Sequence, residues 1–562
     1  MVLRPLPLLV GVFMLAGCLQ DGPEPTGTQL VHSQNLESPS FVKIGDQTFV
    51  RFRERISPAT TQKGAVYDLW LSSFDGTVQR KFIESWSTRW PETGDSDGHY
   101  FMTNERTIPS AGGSAVVGTW IRLGPTYEEE LRIEELSVVS PFSAPLSWIY
   151  EDPDPRQSCP GFPDRHGDCP QAIFQRPPAV GQSYPTLYLW DGRFEVAIGP
   201  DAGGFQNQIV GNGSIYCVLG DKRTLSRLSR PSNQLDDLRD NVSSFSVSSD
   251  ERYVALSVTD DNKSKTVIRD LQTGVEVTPM RPNPSGWSGF QGSTFMYTQN
   301  ATSSAQAEIH GLDLVSGEDK FVVLPKPLVN QVARLDRRNS DETLRIDSLG
   351  HGVFTAKDDL VAKRVLTGPL LAPSFTADGK YLIHVLRATS TLYDPDPQGA
   401  LMFQDAELTL PDQMVSPAGL ISTVRSGAPY FFTGEGKVLA FWAHLGRASS
   451  DLYFADYDGN SLPTNLRLVA QSIMSVSVSA HNLFGIVNVS QQDGVGDLVY
   501  RDIDKGKDIR YSQAVSDAAQ LGGSDLLTSW AAYIVRGRAD SERAGLWITT
   551  LAPSVPPDAG TD

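Results

Sequence analysis

Basic residues, histidine, cysteine and helical periodicity are all scarce in this chain, and each shortage removes a class of reading. Against 66 Asp and Glu stand only 48 Lys and Arg, for a formal charge of −18 over 562 residues. No basic stripe offsets that excess, so a phosphate backbone is repelled and nucleic acid is excluded as a partner. The histidines, His32, His99, His166, His310, His351, His384, His444 and His481, stand singly. None forms an HExxH pair, and neither a Walker A lysine loop nor a GxGxxG is present, so no cofactor or catalytic metal is expected. His384, inside Tyr381-Leu-Ile-His-Val-Leu386, reads as a strand residue of the core. Four cysteines without a CxxC leave Cys159, His166 and Cys169 short of a fourth zinc ligand. The aspartates near them, Asp152, Asp154, Asp164 and Asp168, lack the alternate-oxygen spacing of a calcium loop.

What is present begins at the N-terminus. Arg4 precedes an apolar stretch from Pro5 to Ala16, which ends in Leu15-Ala16-Gly17-Cys18 and gives way at once to Gln20, Asp21, Gly22, Pro23, Glu24 and Pro25. A bilayer span needs about 20 apolar residues, so this segment has the grammar of a signal peptide instead. It resembles the lipobox of bacterial lipoproteins. That resemblance implies cleavage before Cys18, a diacylglycerol on its thiol and a palmitate-type acyl chain on the new amine, enough for stable membrane anchoring. Leu19, where an aspartate would signal retention in enteric bacteria, implies the outer membrane of the cell envelope. The acidic surface leaves the lipid, not a polybasic patch, to hold the protein down.

The expected organisation is a signal peptide over 1–17, a flexible tether over 18–30, a folded body over 31–550 and a tail over 551–562 too polar and proline-rich to pack. Within the body, the proline-rich stretch 140–185 reads as an insertion. Cys159 and Cys169 bracket a short turn-rich loop and are expected to form a disulfide in an oxidising compartment. Cys217, in Ser214-Ile-Tyr-Cys-Val-Leu219, reads as a small buried hydrophobe.

Short β-branched and aromatic runs bounded by Gly, Asp, Asn and Pro recur through the body, which predicts an all-β fold. A two-part pattern returns within them. Its first part joins an aromatic to an acidic or glycine turn and an apolar strand, as in Phe245 to Leu256 around Asp250, Phe375 to Ile383 around Asp378-Gly379, and Phe432 to Phe441 around Glu435-Gly436. Its second part is a strand ending in a polar turn: Val267 to Asp270 and Gly274, Leu312-Asp313 to Gly317, Leu452 to Asp456 and Gly459, Leu498 to Asp502 and Gly506. Leu69 to Asp75-Gly76 is a looser copy and Tyr393-Asp394 a weak one. Aspartate accepts hydrogen bonds from turn amides and glycine supplies positive φ, so each copy predicts a hairpin corner. Their spacing, 43 residues from Asp270 to Asp313 and 46 from Asp456 to Asp502, is close to the length of one four-stranded blade, and Leu324 to Leu366 leaves room for a degenerate one.

These signatures resemble the WD40-like, TolB-type β-propeller repeat over about residues 240 to 510. The resemblance implies antiparallel four-stranded blades; the length allows about eight to twelve units, as one ring of seven or eight blades with insertions or two smaller rings, and the single ring is the expectation. It departs from TolB, which has an α/β domain ahead of its propeller, and from prolyl oligopeptidases, whose α/β-hydrolase domain with its G-x-S-x-G elbow is not expected here. The repeat residues are turn and core positions, so they say little about activity.

Acidic pairs at Asp260-Asp261 and Asp95/Asp97 read as turn residues, and Glu128-Glu-Glu130 with Glu134-Glu135 as the solvated face of a half-buried strand. Trp287 and Phe290, aromatics in a glycine-rich loop, are the candidate binding residues beside a reading as blade-edge packing. The function expected is a non-enzymatic scaffold on a lipid leash that holds an envelope protein or peptide. The alternatives are a propeller enzyme acting on a glycan, lactone or peptide at its channel, and a glycan-binding protein.

Overall fold

The computed structural model describes residues 25–551 apart from connecting segments, the longer of them 138–145, 152–157, 300–306, 324–331, 388–397, 423–429 and 522–528. Among the described residues every regular element is a strand, and every pairing between strands is antiparallel. The repeating unit is a four-stranded meander. In one, Val242–Val247, Tyr253–Asp260, Lys263–Asp270 and Glu276–Val277 pair in chain order.

Burial explains how such units are arranged. Second strands are apolar on both faces, as in the fully buried Ser214–Leu219, so sheets must cover them from both sides. Fourth strands such as Gln234–Arg239 are largely exposed, whereas the first strands of successive sheets approach one another. First strands therefore form the inner wall and fourth strands the rim.

Each seam between neighbours is a hydrophobic cluster. Tyr216 and Val218 of the 208–239 sheet meet Val254 and Leu256 of the 242–277 sheet. Tyr253 and Ile268 meet Phe295 and Tyr297 of the 286–323 sheet, whose Met296 and Ile309 meet Val353 of the 332–366 sheet. The series continues through Phe354 with Leu382, Phe403 with Phe441, Phe454 with Leu483, and Phe484 with Tyr533. It then closes: Leu30, Ile534 and Ile548 pack on Leu36, Val50 and Phe52. At about 1.5–3 kcal/mol for each fully buried large apolar side chain, these seams are the main source of stability. Sheets stacked radially and closed on themselves make a β-propeller.

The closing strand comes from the N-terminus. Thr28–Val31 pairs with Gly545–Thr550, setting Thr28 opposite Ile548 and Gln29 opposite Trp547. The Thr26 N–H donates to the Tyr511 carbonyl at 3.2 Å, and Tyr533 donates its hydroxyl to the Thr26 carbonyl at 2.5 Å. Order thus begins inside the stretch expected as tether. Leu551, expected as the start of the tail, is fully buried and its carbonyl accepts the Tyr511 hydroxyl at 3.0 Å.

Two strands serve two sheets each. Thr464–Val478 pairs with Ser450–Asp456 up to Ile473 and with Asn482–Val487 from Met474, and Lys507–Leu521 is shared in the same way near Val515. The bends lie at Ser472 and Ala514, both at positive φ.

The expectation of seven or eight blades needs correction, because the described residues hold more four-stranded units than that. One segment taken as an insertion and one taken as a degenerate blade are both sheets. The stretch read as an insertion over 140–185 supplies Leu146–Glu151 and Asp168–Arg176 to a sheet with Thr186–Trp190 and Glu195–Pro200, and only the hairpin Ser158–Cys159 with Phe162–His166 stands apart. The suspected degenerate blade is a complete sheet from Val332 to Leu366. Asp394 lies outside the described residues; the corner of its sheet is made by Asp405, whose carboxylate accepts the Glu407 N–H at 3.2 Å.

Candidate functional site

The turn chemistry read from the repeat builds one face of the ring. Asp270 Oδ1 accepts the N–H groups of Gln272 and Thr273 at 2.8 and 3.1 Å while Gly274, at φ 74°, turns the chain back. Asp313 does the same for Val315 and Ser316 at 2.8 and 3.2 Å. The first part of the repeat makes a second kind of corner. Ser248 donates to Asp250 at 2.6 Å and accepts the Tyr253 N–H at 2.9 Å, and Thr376 repeats this with Asp378 and Tyr381 at 2.7 and 3.1 Å.

Where two such corners face each other across a seam they leave a groove of about 580 Å³, lined by Lys437, Asp456, Asp458, Arg467, His481 and Asp504 with Tyr457 between them. On one wall Arg467 Nη1 donates to Asp456 Oδ1 at 2.6 Å and Asn465 Nδ2 to its Oδ2 at 3.0 Å. The Arg467 guanidinium, with Asn465, holds the Asp456 carboxyl below the usual range. Asp458 accepts the N–H and hydroxyl of Ser461 at 2.8 and 3.0 Å. On the opposite wall His481 Nδ1 lies 2.8 Å from Asp504 Oδ2, both side chains more than half exposed. Burial pushes the Tyr457 phenol up to about 12, so it stays neutral. The groove offers exposed charges of both signs whose pairs are worth little in water and exchange readily for a polar partner's groups.

The structure places the candidate binding aromatics in a seam. Trp287 stands edge-on to Phe295 at 5.8 Å, and Phe290 lies 5.3 Å from Phe295 and 6.5 Å from Tyr253; both are half-buried against Ala255 and Ile268. Cys18 lies outside the described residues. So do the side chains of Cys159 and Cys169, whose backbones stand in Ser158–Cys159 and, opposite Tyr150, in Asp168–Arg176. Cys217 is a buried free thiol, its pKa raised by burial. His384 is buried, which lowers it to about 4. The acidic strand Glu129–Ser137 buries Leu131, Ile133 and Leu136 and turns Glu129, Glu134 and Glu135 outward, Glu129 to Arg132 at 2.7 Å, while Glu130 turns in to pair with the buried Arg122.

Three arrangements escaped sequence reasoning. Gly94-Asp95-Ser96-Asp97-Gly98 has the letters of a nucleophile elbow. Its ends belong to a hairpin, Asp95 opposite Gly98, and not to the strand-to-helix turn that exposes such a serine. His310, fully buried, holds Glu308 at 2.9 Å and Asp319 at 3.2 Å and stacks 4.5 Å from Tyr297. Arg281 adds a two-pronged bond to Glu308 at 3.0 Å, which ties the link between two sheets to the third strand of the second. Third, Asp68 and Asp451 each accept the N–H of a bend serine, Ser85 at 3.0 Å and Ser472 at 2.8 Å. The available signal was an aspartate just ahead of the repeat's leucine, in Asp68-Leu69, Asp451-Leu452 and Asp497-Leu498.

No protein-family model and no curated protein matches the chain. Solved structures do. A eukaryotic initiation factor is 10% identical, with 74% of this chain and 95% of that one covered at a TM-score of 0.34. BamB from Moraxella catarrhalis is 11% identical, covering 64% and 94% at 0.28, and TolB from Acinetobacter baumannii 12%, covering 66% and 81% at 0.19.

Proposed function

We propose that the chain is a lipid-anchored protein of the cell envelope, in the outer membrane, whose propeller is a non-enzymatic scaffold for a protein or peptide. The groove of Asp456, Arg467, His481 and Asp504 carries this reading, because it is open, polar and of both charge signs. A polar peptide segment laid across it satisfies its own charges by displacing pairs that stabilise the ring only weakly. Cys18 supplies the anchor through its lipid, and a Cys159–Cys169 disulfide fastens the 158–169 hairpin in the oxidising space beyond the inner membrane.

Affinity capture from detergent-solubilised envelope, with wild-type protein and the Arg467→Ala/His481→Ala variant side by side, tests the scaffold. One stoichiometric partner retained by the wild type and lost by the variant is expected. A partner held equally by both, or none at native expression, contradicts the groove assignment. Labelling with radioactive palmitate tests the anchor, with incorporation expected in the wild type and absent from Cys18→Ser.

A further inference from the structure

A second concavity lies on the inner wall, away from the groove, and has a different chemistry. It holds about 460 Å³ where three first strands meet the second strand Asn482–Val487 and is lined by Phe41, Met474, Val476, Ile486 and Leu521, by the polar Ser40 and Gln520, and by one carboxylate, Asp517. Two irregularities converge on that carboxylate. The strand Leu36–Ile44 shifts register between Glu37 and Ser40, with Ser38 at φ 51°, and this aims the Ser38 N–H at Asp517 Oδ2 at 2.7 Å. The strand Lys507–Leu521 shifts register between Val515 and Asp517, next to Ala514 at φ 55°, and the Ala518 N–H meets Oδ1 at 3.0 Å. Bulges of this kind re-aim side chains beside binding sites.

Asp517 is anchored but not neutralised. Each oxygen accepts one backbone N–H and keeps a lone pair, and among the described residues no Lys or Arg forms an ion pair with it. The charged groups that act on it are Arg53, whose guanidinium sits over the Tyr67 and Trp86 rings at 5.0 and 5.8 Å, and Glu37, which is taken up by the Tyr67 hydroxyl and Arg55. Burial outweighs the two N–H bonds and the Arg53 charge, so the carboxyl sits above its usual range. A carboxylate fixed in a largely apolar hollow without an ion-pair partner among the described residues is complementary to a cation that brings its own hydrocarbon.

We propose that this pocket binds a protonated primary amine carried on an apolar chain, with the ammonium on Asp517 and the chain against Phe41, Met474 and Ile486. A small alkylamine and the lysine side chain of a peptide share that chemistry. The site is separate from the groove, so it stands or falls independently of the scaffold reading.

Calorimetric titration of the full-length protein at pH 7 with hexylammonium chloride, 1-hexanol and the capped peptide acetyl-Leu-Lys-Leu-amide tests it. Hexylammonium is expected to bind at least about tenfold more tightly than hexanol, and Asp517→Asn to remove that preference, as loss of a charge-assisted hydrogen bond requires. Binding of the peptide as well assigns a lysine side chain, and binding of hexylammonium alone a free amine. Ala519→Phe fills the pocket with the carboxylate intact and is expected to abolish binding, which keeps the test decisive if Asp517→Asn does not fold. Hexanol binding as tightly as hexylammonium, or no binding of either amine, overturns the proposal.

Discussion

The backbone N–H of Ser472 donates to Oδ1 of Asp451 at 2.8 Å, so a carboxylate only 4% exposed holds the bend where one strand leaves its sheet for the next. Removing it leaves a half-buried N–H without its partner at a residue already at positive φ. Asp451→Ala is therefore expected to destabilise the protein by about 1–3 kcal/mol, read as a lowered urea midpoint. Asp75→Ala, in an exposed corner that water can solvate, is expected to move the midpoint far less. Equal effects would show that the bend bond is not structural.

Gly27 tests the seam where the two ends of the chain meet. It sits at φ 104°, and a Cβ there would stand 2.0 Å from the Ile548 carbonyl oxygen. Gly27→Ala is expected to lower stability by more than about 1–3 kcal/mol, from backbone strain together with a displaced closing strand. Gly45, at φ 60° with open space around it, is the control. Gly45→Ala should cost only the strain of its positive φ, and thermal unfolding of the two variants gives the comparison.

The buried His384 imparts a pH dependence of known sign. Its folded pKa is depressed by burial to about 4, against 6.5 for an unperturbed imidazole. The unfolded chain therefore takes up a proton that the folded chain refuses as pH falls below 6.5. This contribution to stability is fully present above about pH 7, is lost progressively from pH 6.5 to 4, and levels off below 4. His384→Leu is expected to flatten that part of the stability profile, measured as urea midpoints from pH 7.5 to 4.5. An unchanged slope would contradict a neutral, buried imidazole.

Glu92 acts in the same sense at lower pH. Burial alone would raise its carboxyl, but bonds from His99 at 3.3 Å and from Arg51 at 2.8 Å outweigh that and bring it down to about 2. A depressed carboxylate stabilises above its unfolded pKa, and the gain disappears as pH falls from about 4.5 through 2. The stability difference between wild type and Glu92→Gln is expected to be constant above pH 5.5 and to shrink below it.

What was legible in the sequence was local. Asp270, Asp313 and Asp502 satisfy turn amides no more than three residues away, so their corners follow from the residues themselves. The alternation of the 129–137 strand was readable for the same reason. The 332–366 sheet was legible only as room for a degenerate blade, and the 146–200 sheet, interrupted by a proline-containing hairpin, was read as an insertion. The groove and the inner pocket were not legible at all. Arg467 faces His481 and Asp504 across the groove only because neighbouring four-stranded units stack, and Ser38 reaches Asp517 across 479 residues because the ring closes.

Ring closure by the N-terminal strand is what places both sites, and hydrogen–deuterium exchange of the intact protein measures it most directly. Peptides covering 28–31 and 545–550 are expected to exchange as slowly as the central strand Tyr253–Asp260. Exchange of 28–31 at the rate of an unstructured peptide, with 545–550 behaving as an unpaired edge, would contradict it.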